Sequence, residues 1–161
     1  MKYNFKNSPY FIHMNTKTSD ELRNIWETYQ GKCYDIVVCI KHETTEYNNE
    51  MRDYYAEIAF RKWCLVYLII EKLEYTEDFI GNLDLCADSC TYCAIYHGKQ
   101  IKRCGDCPID RAGYCCEKPG PSSWEKVDNY IIAENDKDEA LEGASNIADI
   151  CYNDMRERIA K

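Results

Sequence analysis

The chain has 161 residues and a formal net charge of −8, which is the size of a single domain with one hydrophobic core. No apolar stretch follows a basic N-terminus, and the longest apolar run, residues 64–70, is too short to cross a bilayer. We therefore expect one cytoplasmic domain over residues 1–161 without membrane contact. The only grouped cations are Lys99, Lys102 and Arg103, so the sequence does not favour nucleic acid as a partner, because phosphate backbones need larger basic clusters.

The first part of the chain predicts an extended arm followed by a helix. Residues 1–16 are polar and aromatic without a helical period. Thr18 and Glu21 then fit a capping box, in which a hydroxyl and a carboxylate satisfy two free backbone amides. Gly31 is expected to end this helix. Its apolar face is predicted from residues at helical spacing: Leu22, Ile25, Trp26 and Tyr29.

Two further elements precede the cysteine-rich region. Residues 33–41 are rich in β-branched side chains and fit either a short strand or a buried helical turn. Residues 47–73 predict a long helix, because no Gly or Pro interrupts them and one face stays apolar while charged side chains such as Lys62 fill much of the rest. Its predicted apolar face comprises Met51, Tyr54, Tyr55, Ile58, Trp63, Val66, Ile69, Ile70 and Leu73.

The last forty residues predict two helices. Ser122 and Glu125 form a second capping box directly after Pro121. The final helix is expected to begin at Asn135 or Asp136, with carboxylates in its first turn, where the helix dipole favours anions. The apolar positions of these two helices are Trp124, Val127 and Ile131, followed by Leu141, Ala144, Ile147, Cys151 and Met155.

These elements predict a mainly α fold with an irregular, zinc-knuckle-like loop inserted between helices and at most one short β element. The predicted parts of the domain are an N-terminal arm at 1–16, a helical part at 17–85, a cysteine-rich segment at 86–121 and C-terminal helices at 122–161. The cysteine-rich segment carries Gly, Pro and charge in place of a core-forming pattern, so it needs a cross-link to hold its shape.

Eleven cysteines are an unusual number for a chain with no export signal, and an odd count does not suit a disulfide framework. Seven of them lie between Cys86 and Cys116. The other four are single residues in apolar stretches, and we interpret them as small buried hydrophobes: Cys33, Cys39, Cys64 and Cys151.

Two Cys-x-x-Cys pairs predict a metal site. Cys90 and Cys93 form the first pair, and Cys104 and Cys107 form the second after ten intervening residues. Each pair can point two sulfurs at one ion from a tight turn, and two pairs supply the four thiolates that suit tetrahedral zinc. Cys116 is a fifth candidate ligand. A four-thiolate site leaves no open position for a substrate, which favours a structural role for the zinc.

The ligand set has alternatives. His97 can replace one thiol, and Cys86 and Cys115 add further sulfurs, so an iron–sulfur cluster in place of zinc stays open. The spacing Cys86-x3-Cys90-x2-Cys93 also matches the cluster motif of radical SAM enzymes. That reading is disfavoured, because those enzymes resemble one another in a barrel that continues for a couple of hundred residues after the motif, and only 68 residues follow Cys93 here.

The segment from residue 90 to residue 124 resembles a family of small bacteriophage and prophage proteins. The shared pattern is a Cys-x-x-Cys pair with a nearby aromatic residue, a second Cys-x-x-Cys pair followed by Pro, then a Gly, a single Cys and a Pro before a helix. The matching residues here are Cys90, Cys93, Tyr96, Cys104, Cys107, Pro108, Gly113, Cys116 and Pro119. The resemblance implies a viral origin and favours Cys116 over Cys115 as the extra ligand. Extra cysteines at 86 and 115 and a longer N-terminal region depart from the pattern.

The function favoured by the sequence is a non-enzymatic, zinc-stapled interaction protein of viral type. No Gly-rich phosphate loop, His-Glu-x-x-His or Gly-x-Ser-x-Gly motif occurs, and 14 tyrosines offer the rigid, polar-tipped side chains that interfaces use. A host or viral protein is the expected partner, and inhibition of a host defence complex in the host cytoplasm is a specific form of this hypothesis. An iron–sulfur or thiol redox protein and a nucleic-acid-binding zinc module are the alternatives.

Overall fold

A computed structural model describes residues 3–42, 49–85, 107–112 and 122–160. These ranges contain six α-helices: α1 Pro9–Met14, α2 Ser19–His42, α3 Asn49–Lys72, α4 Pro108–Arg111, α5 Ser123–Ala133 and α6 Lys137–Ala160. Two 3₁₀ turns are also present, Phe5–Asn7 and Ile80–Asn82. No strand occurs in the described ranges, so the predicted mainly α class is confirmed. The predicted zinc-knuckle loop falls almost wholly on residues outside them.

The first capping box forms as predicted, but the helix that follows is longer than expected. Thr18 N–H donates to Glu21 Oε1 at 3.1 Å, and Glu21 N–H donates to Thr18 Oγ1 at 3.2 Å. The prediction that Gly31 ends the helix is wrong, because α2 continues to His42 and includes residues 33–41. A methyl group added at Gly31 would meet nothing within 4 Å, so this glycine lies in an open helix interior and costs only about 1 kcal/mol there.

The predicted extended arm is wrong for residues 5–14, which form a 3₁₀ turn and helix α1. Two polar side chains start these turns: Asn4 accepts from Lys6 N–H, and Ser8 Oγ accepts from Phe11 N–H at 3.1 Å. Phe5 is fully buried, edge-on to Phe11 at 4.9 Å and to Tyr67 at 5.2 Å. Burial of this aromatic ring draws the N-terminal residues into the core, which a local periodicity cannot predict.

Two polar side chains of α6 clamp the first residues onto the helix. Asn153 accepts from Tyr3 N–H at 3.0 Å and donates to the Tyr3 carbonyl oxygen at 2.8 Å. Asp149 Oδ1 accepts from Phe5 N–H at 2.8 Å. Burial raises the pKa of Asp149, while this hydrogen bond and the nearby Lys6 oppose the rise. The backbone N–H and C=O groups of Tyr3 and the N–H group of Phe5 therefore have hydrogen-bond partners, although these residues belong to no sheet.

The core lies between α3, α5 and α6. Helix α3 matches the predicted long helix, and its packing against α6 forms the centre of the described structure. Two of its residues depart from the predicted faces: Tyr54 is exposed, and Lys62 is buried with Nζ 5.9 Å from the Trp63 ring. The largest fully buried side chains include Trp63, Phe5, Phe60, Leu22, Leu65, Leu68, Ile69, Ile70 and Ile80.

The C-terminal helices begin where the sequence predicts. Ser122 Oγ accepts from Glu125 N–H at 3.2 Å, and Asp136 Oδ1 accepts from the amides of residues 138 and 139 at 2.9 and 3.2 Å. Between them, α5 ends at Ala133, and its C-cap residue Glu134 has a left-handed backbone with φ of 50°. Gly143 lies where α5 crosses α6, and a Cβ there would come closer than 3.0 Å to the Ser123 carbonyl oxygen.

Candidate metal centre and neighbouring surfaces

Cys107 is the one predicted metal ligand among the described residues. It is 7 % exposed and directly precedes α4. Its carbonyl oxygen accepts from Arg111 N–H at 2.9 Å, which closes the single turn of that helix. Pro108 suits the first helical position, because its φ is already helical and its missing N–H has no partner to lose. The other predicted ligands and their alternatives lie outside the described residues: Cys86, Cys90, Cys93, His97, Cys104, Cys115 and Cys116.

Helix α4 fixes Cys107 against the body of the protein. Ile109, two residues further on, is 6 % exposed and belongs to the hydrophobic core. The helix packs on the second half of α6. A groove of about 420 Å³ lies between them, with Arg111 on one wall and Asp154 and Glu157 on the other. Residues 107–112, in the middle of the cysteine-rich segment, are therefore packed on α6.

The two ends of the cysteine-rich segment meet at the helical core. Trp124 Nε1 donates to the Leu85 carbonyl oxygen at 3.3 Å. Leu85 is buried, and Ser122 is buried as the cap of α5. The described residues that flank the cysteine-rich segment therefore lie close together at the core, and Cys107 within the segment is buried as well. Such a closed segment is the setting in which a metal can connect cysteines that are distant in sequence.

Cys107 has the chemistry of a zinc ligand, since it is a sulfur held at a fixed position beside a short turn. Zinc there would be held by Cys90, Cys93, Cys104 and Cys107, with Cys116 as the further candidate. Within the described ranges alone, no three His, Cys, Asp or Glu side chains form a group that could bind a metal. The predicted site therefore depends on ligands from residues 86–106 and 113–121.

The cysteines outside this segment are placed as predicted where their side chains are described. Cys64 in α3 and Cys151 in α6 are both fully buried in the core. Burial raises the pKa of the Cys64 thiol well above its ordinary value, and the charge of Asp149 adds to the rise. A thiol that resists ionisation is a packing group, because metals bind the thiolate. The side chains of Cys33 and Cys39 lie outside the described residues.

A second concave surface was not predicted from the sequence. We call it the aromatic groove: a depression of about 400 Å³ between α1, α3 and α6, lined by Tyr10, His13, Glu57, Phe60, Arg61 and Tyr152. Phe60 and Tyr152 are stacked with centroids 5.0 Å apart, and Tyr10 meets Phe60 edge-on at 6.2 Å. These residues come from three separate parts of the chain, so no single motif in the sequence could reveal them.

The opposite end of α3 carries a different surface. Tyr75 donates to the Ile131 carbonyl oxygen at 2.5 Å and lies edge-on to Tyr130 at 5.5 Å. Burial raises the pKa of Tyr75, and the carboxylates of Glu77 and Glu134 raise it further. Ile132, two residues before Glu134 in the chain, is 71 % exposed. We call this the acidic end.

Comparisons with known proteins add no relative. No family model matches the chain, and neither a curated protein nor a solved structure matches it. None of the helices in the described ranges is long and apolar enough to cross a membrane.

Proposed function

We propose that this protein is a zinc-stapled binding protein with no catalytic role of its own. The observation that carries the proposal is Cys107, a buried cysteine at the end of a Cys-x-x-Cys pair, held on α6 through α4. In this proposal the zinc joins Cys104 and Cys107 to Cys90 and Cys93. Four thiolates complete a tetrahedral shell, so the metal stabilises the segment and offers no site to a substrate.

The helical part gives the metal a rigid support. Helices α3, α5 and α6 bury a continuous core, and the segment at 86–121 is closed at its base by the bond from Trp124 to Leu85. The free energy of zinc binding in such a segment contributes directly to its folding, because the ligands are not close together in the unfolded chain. Removal of zinc should therefore release the segment and leave most of the helical core folded.

The partner we propose is a host or viral protein. The resemblance of residues 90–124 to bacteriophage proteins supports a viral origin, and the net charge of −8 suits a protein that occupies a basic surface. Inhibition of a host defence complex in the host cytoplasm is the specific form that we propose. An affinity purification from host lysate tests it, and recovery of no defence component with the zinc-loaded protein would refute that form.

The metal is tested first, by elemental analysis and a visible absorption spectrum on anaerobically purified protein. We expect about one zinc per chain and no visible colour. Iron with sulfide would instead support the iron–sulfur alternative. Salt-sensitive binding to DNA or RNA by the zinc-loaded protein would support the nucleic-acid alternative.

Two buried cysteines provide a matched pair of variants. Cys107→Ala should lose zinc, because it removes a ligand, whereas Cys64→Ala should keep zinc although it also removes a fully buried thiol. Zinc content per folded chain is the measurement. Retention of stoichiometric zinc by Cys107→Ala, with Cys93→Ser also retaining it, would refute the ligand assignment.

A further inference from the structure

The aromatic groove continues into a longer row of rings with an arginine at each end. Tyr152, which stacks on Phe60, also meets Tyr3 edge-on at 6.2 Å. The Arg61 guanidinium lies 5.0 Å from the Tyr10 centroid, and that of Arg156 lies 5.0 Å from the Tyr3 centroid. The row therefore runs from Arg61 through four rings to Arg156, across three parts of the chain.

Both arginines have guanidinium N–H groups that can donate to an anionic group. Glu57 accepts one hydrogen bond from Arg61, and a guanidinium carries five N–H donors. Within the described ranges, Arg156 has no carboxylate at ion-pair distance. Each guanidinium is held over a ring, so little side-chain entropy remains to be lost when a carboxylate binds.

The charge at the groove contrasts with that of the whole chain. The chain carries −8, whereas Glu57 and Arg61 cancel within the groove and Arg156 adds a positive charge at its end. Tyr and Arg are among the side chains that are enriched at the centres of protein interfaces. A concave, aromatic surface with a net positive charge at its Arg156 end, and with further guanidinium donors on the ion-paired Arg61, therefore complements an apolar anchor flanked by carboxylates.

We propose that the aromatic groove is a docking site for an acidic segment of a partner protein. One apolar or aromatic side chain of that segment packs against Tyr10, Phe60 and Tyr152, and flanking Asp or Glu side chains bind Arg61 and Arg156. The proposal rests on the proposed binding role of the protein and does not depend on the metal, since no cysteine lines the groove.

The test is a selection of random 12-residue peptides displayed on phage against the zinc-loaded full chain. We expect enriched peptides with an apolar or aromatic residue between acidic residues. Synthetic peptides should bind the Arg61→Ala/Arg156→Ala variant at least about tenfold more weakly, because two charge-assisted contacts are lost. Arg23→Ala is the matched control: Arg23 also lies over a ring, 5.0 Å from the Phe79 centroid, and its loss should leave binding unchanged.

Three results would overturn the proposal. The first is enrichment of no peptides, or only of basic ones. The second is equal binding to the double variant and the wild type, which would place the site elsewhere while leaving a binding role intact. The third is concentration-dependent self-association of the chain that Ile132→Lys abolishes, because the occupant would then be the acidic end of a second copy. The zinc assays on Cys107→Ala are separate, so failure of the groove is distinguishable from failure of the metal assignment.

Discussion

Replacing Gly143 with Ala should destabilise the protein, although the same change normally stabilises a helix. Gly143 lies inside α6 where α5 crosses it. An added methyl group would approach the Ser123 carbonyl oxygen closer than 3.0 Å and would lie 3.2 Å from the carbonyl carbon and 3.3 Å from Lys126 Cβ. The first two atoms are backbone of α5 and cannot rotate away, so the helices must separate.

The expected magnitude follows from two opposing terms. Ala is favoured over Gly in a helix interior by about 1 kcal/mol. Forcing a methyl group into a close-packed contact costs about 1–3 kcal/mol, and a clash with backbone belongs at the upper end. We therefore expect a net loss of about 1–2 kcal/mol. For a chain of 161 residues this lowers Tm by roughly 2–8 °C.

Gly31→Ala is the matched control. Gly31 also lies inside a helix, but a Cβ there meets nothing within 4 Å. Only the helix-propensity term remains, so this variant should be more stable by about 0.5–1 kcal/mol. Urea unfolding of both variants, followed by circular dichroism, measures the two changes. Stabilisation by Gly143→Ala equal to that of Gly31→Ala would refute the close crossing of α5 and α6.

Three further predictions concern single residues. Glu134→Gly should raise the free energy of unfolding by about 1 kcal/mol in urea titrations, because Gly relieves the left-handed backbone at φ of 50°; no gain over Glu134→Ala would contradict this. Asn153→Ala should lower it by about 2 kcal/mol, because the amide groups of Tyr3 lose both partners, and hydrogen exchange at Tyr3 and Phe5 should accelerate; unchanged exchange would count against the clamp. The pKa of Asp149 is raised in the folded state, so folding favours its protonated form. Its contribution to the free energy of unfolding therefore declines as pH rises from 3.8, the pKa of this carboxyl in the unfolded chain, through the folded pKa. Asp149→Asn should remove that decline, seen as a gain over wild type that grows as pH rises from 3.8 through the folded pKa; a gap independent of pH would refute the assignment.

Local patterns predicted the helices whose ends are set by neighbouring residues. Thr18 with Glu21, and Ser122 with Glu125, each act within one turn of backbone, so their spacing in the sequence is sufficient evidence. Gly31 misled the prediction because a glycine ends a helix only where the chain needs a left-handed residue. Among the described residues, the left-handed backbone is adopted by Glu134, a residue type with no preference for it.

Long-range packing set the features that the sequence did not predict. Phe5 turns the N-terminal residues into helical turns because rings of α1 and α3 surround it. Lys62 is buried although its spacing suited a solvated face. The aromatic groove joins residues more than 140 positions apart, such as Tyr10 and Tyr152. For the metal site, spacing predicted a set of ligands, of which the described structure contains Cys107.

The closed base at Leu85 and Trp124 gives residues 86–121 the connectivity of an insertion. A chain that leaves and re-enters at one hydrogen bond of 3.3 Å can be bridged by a very short loop. The helices on either side would keep their order, and among the described residues of the segment the core would lose Cys107 and Ile109. Residues 86–121 could thus be shortened or exchanged for another segment without a change in the order of the helices on either side.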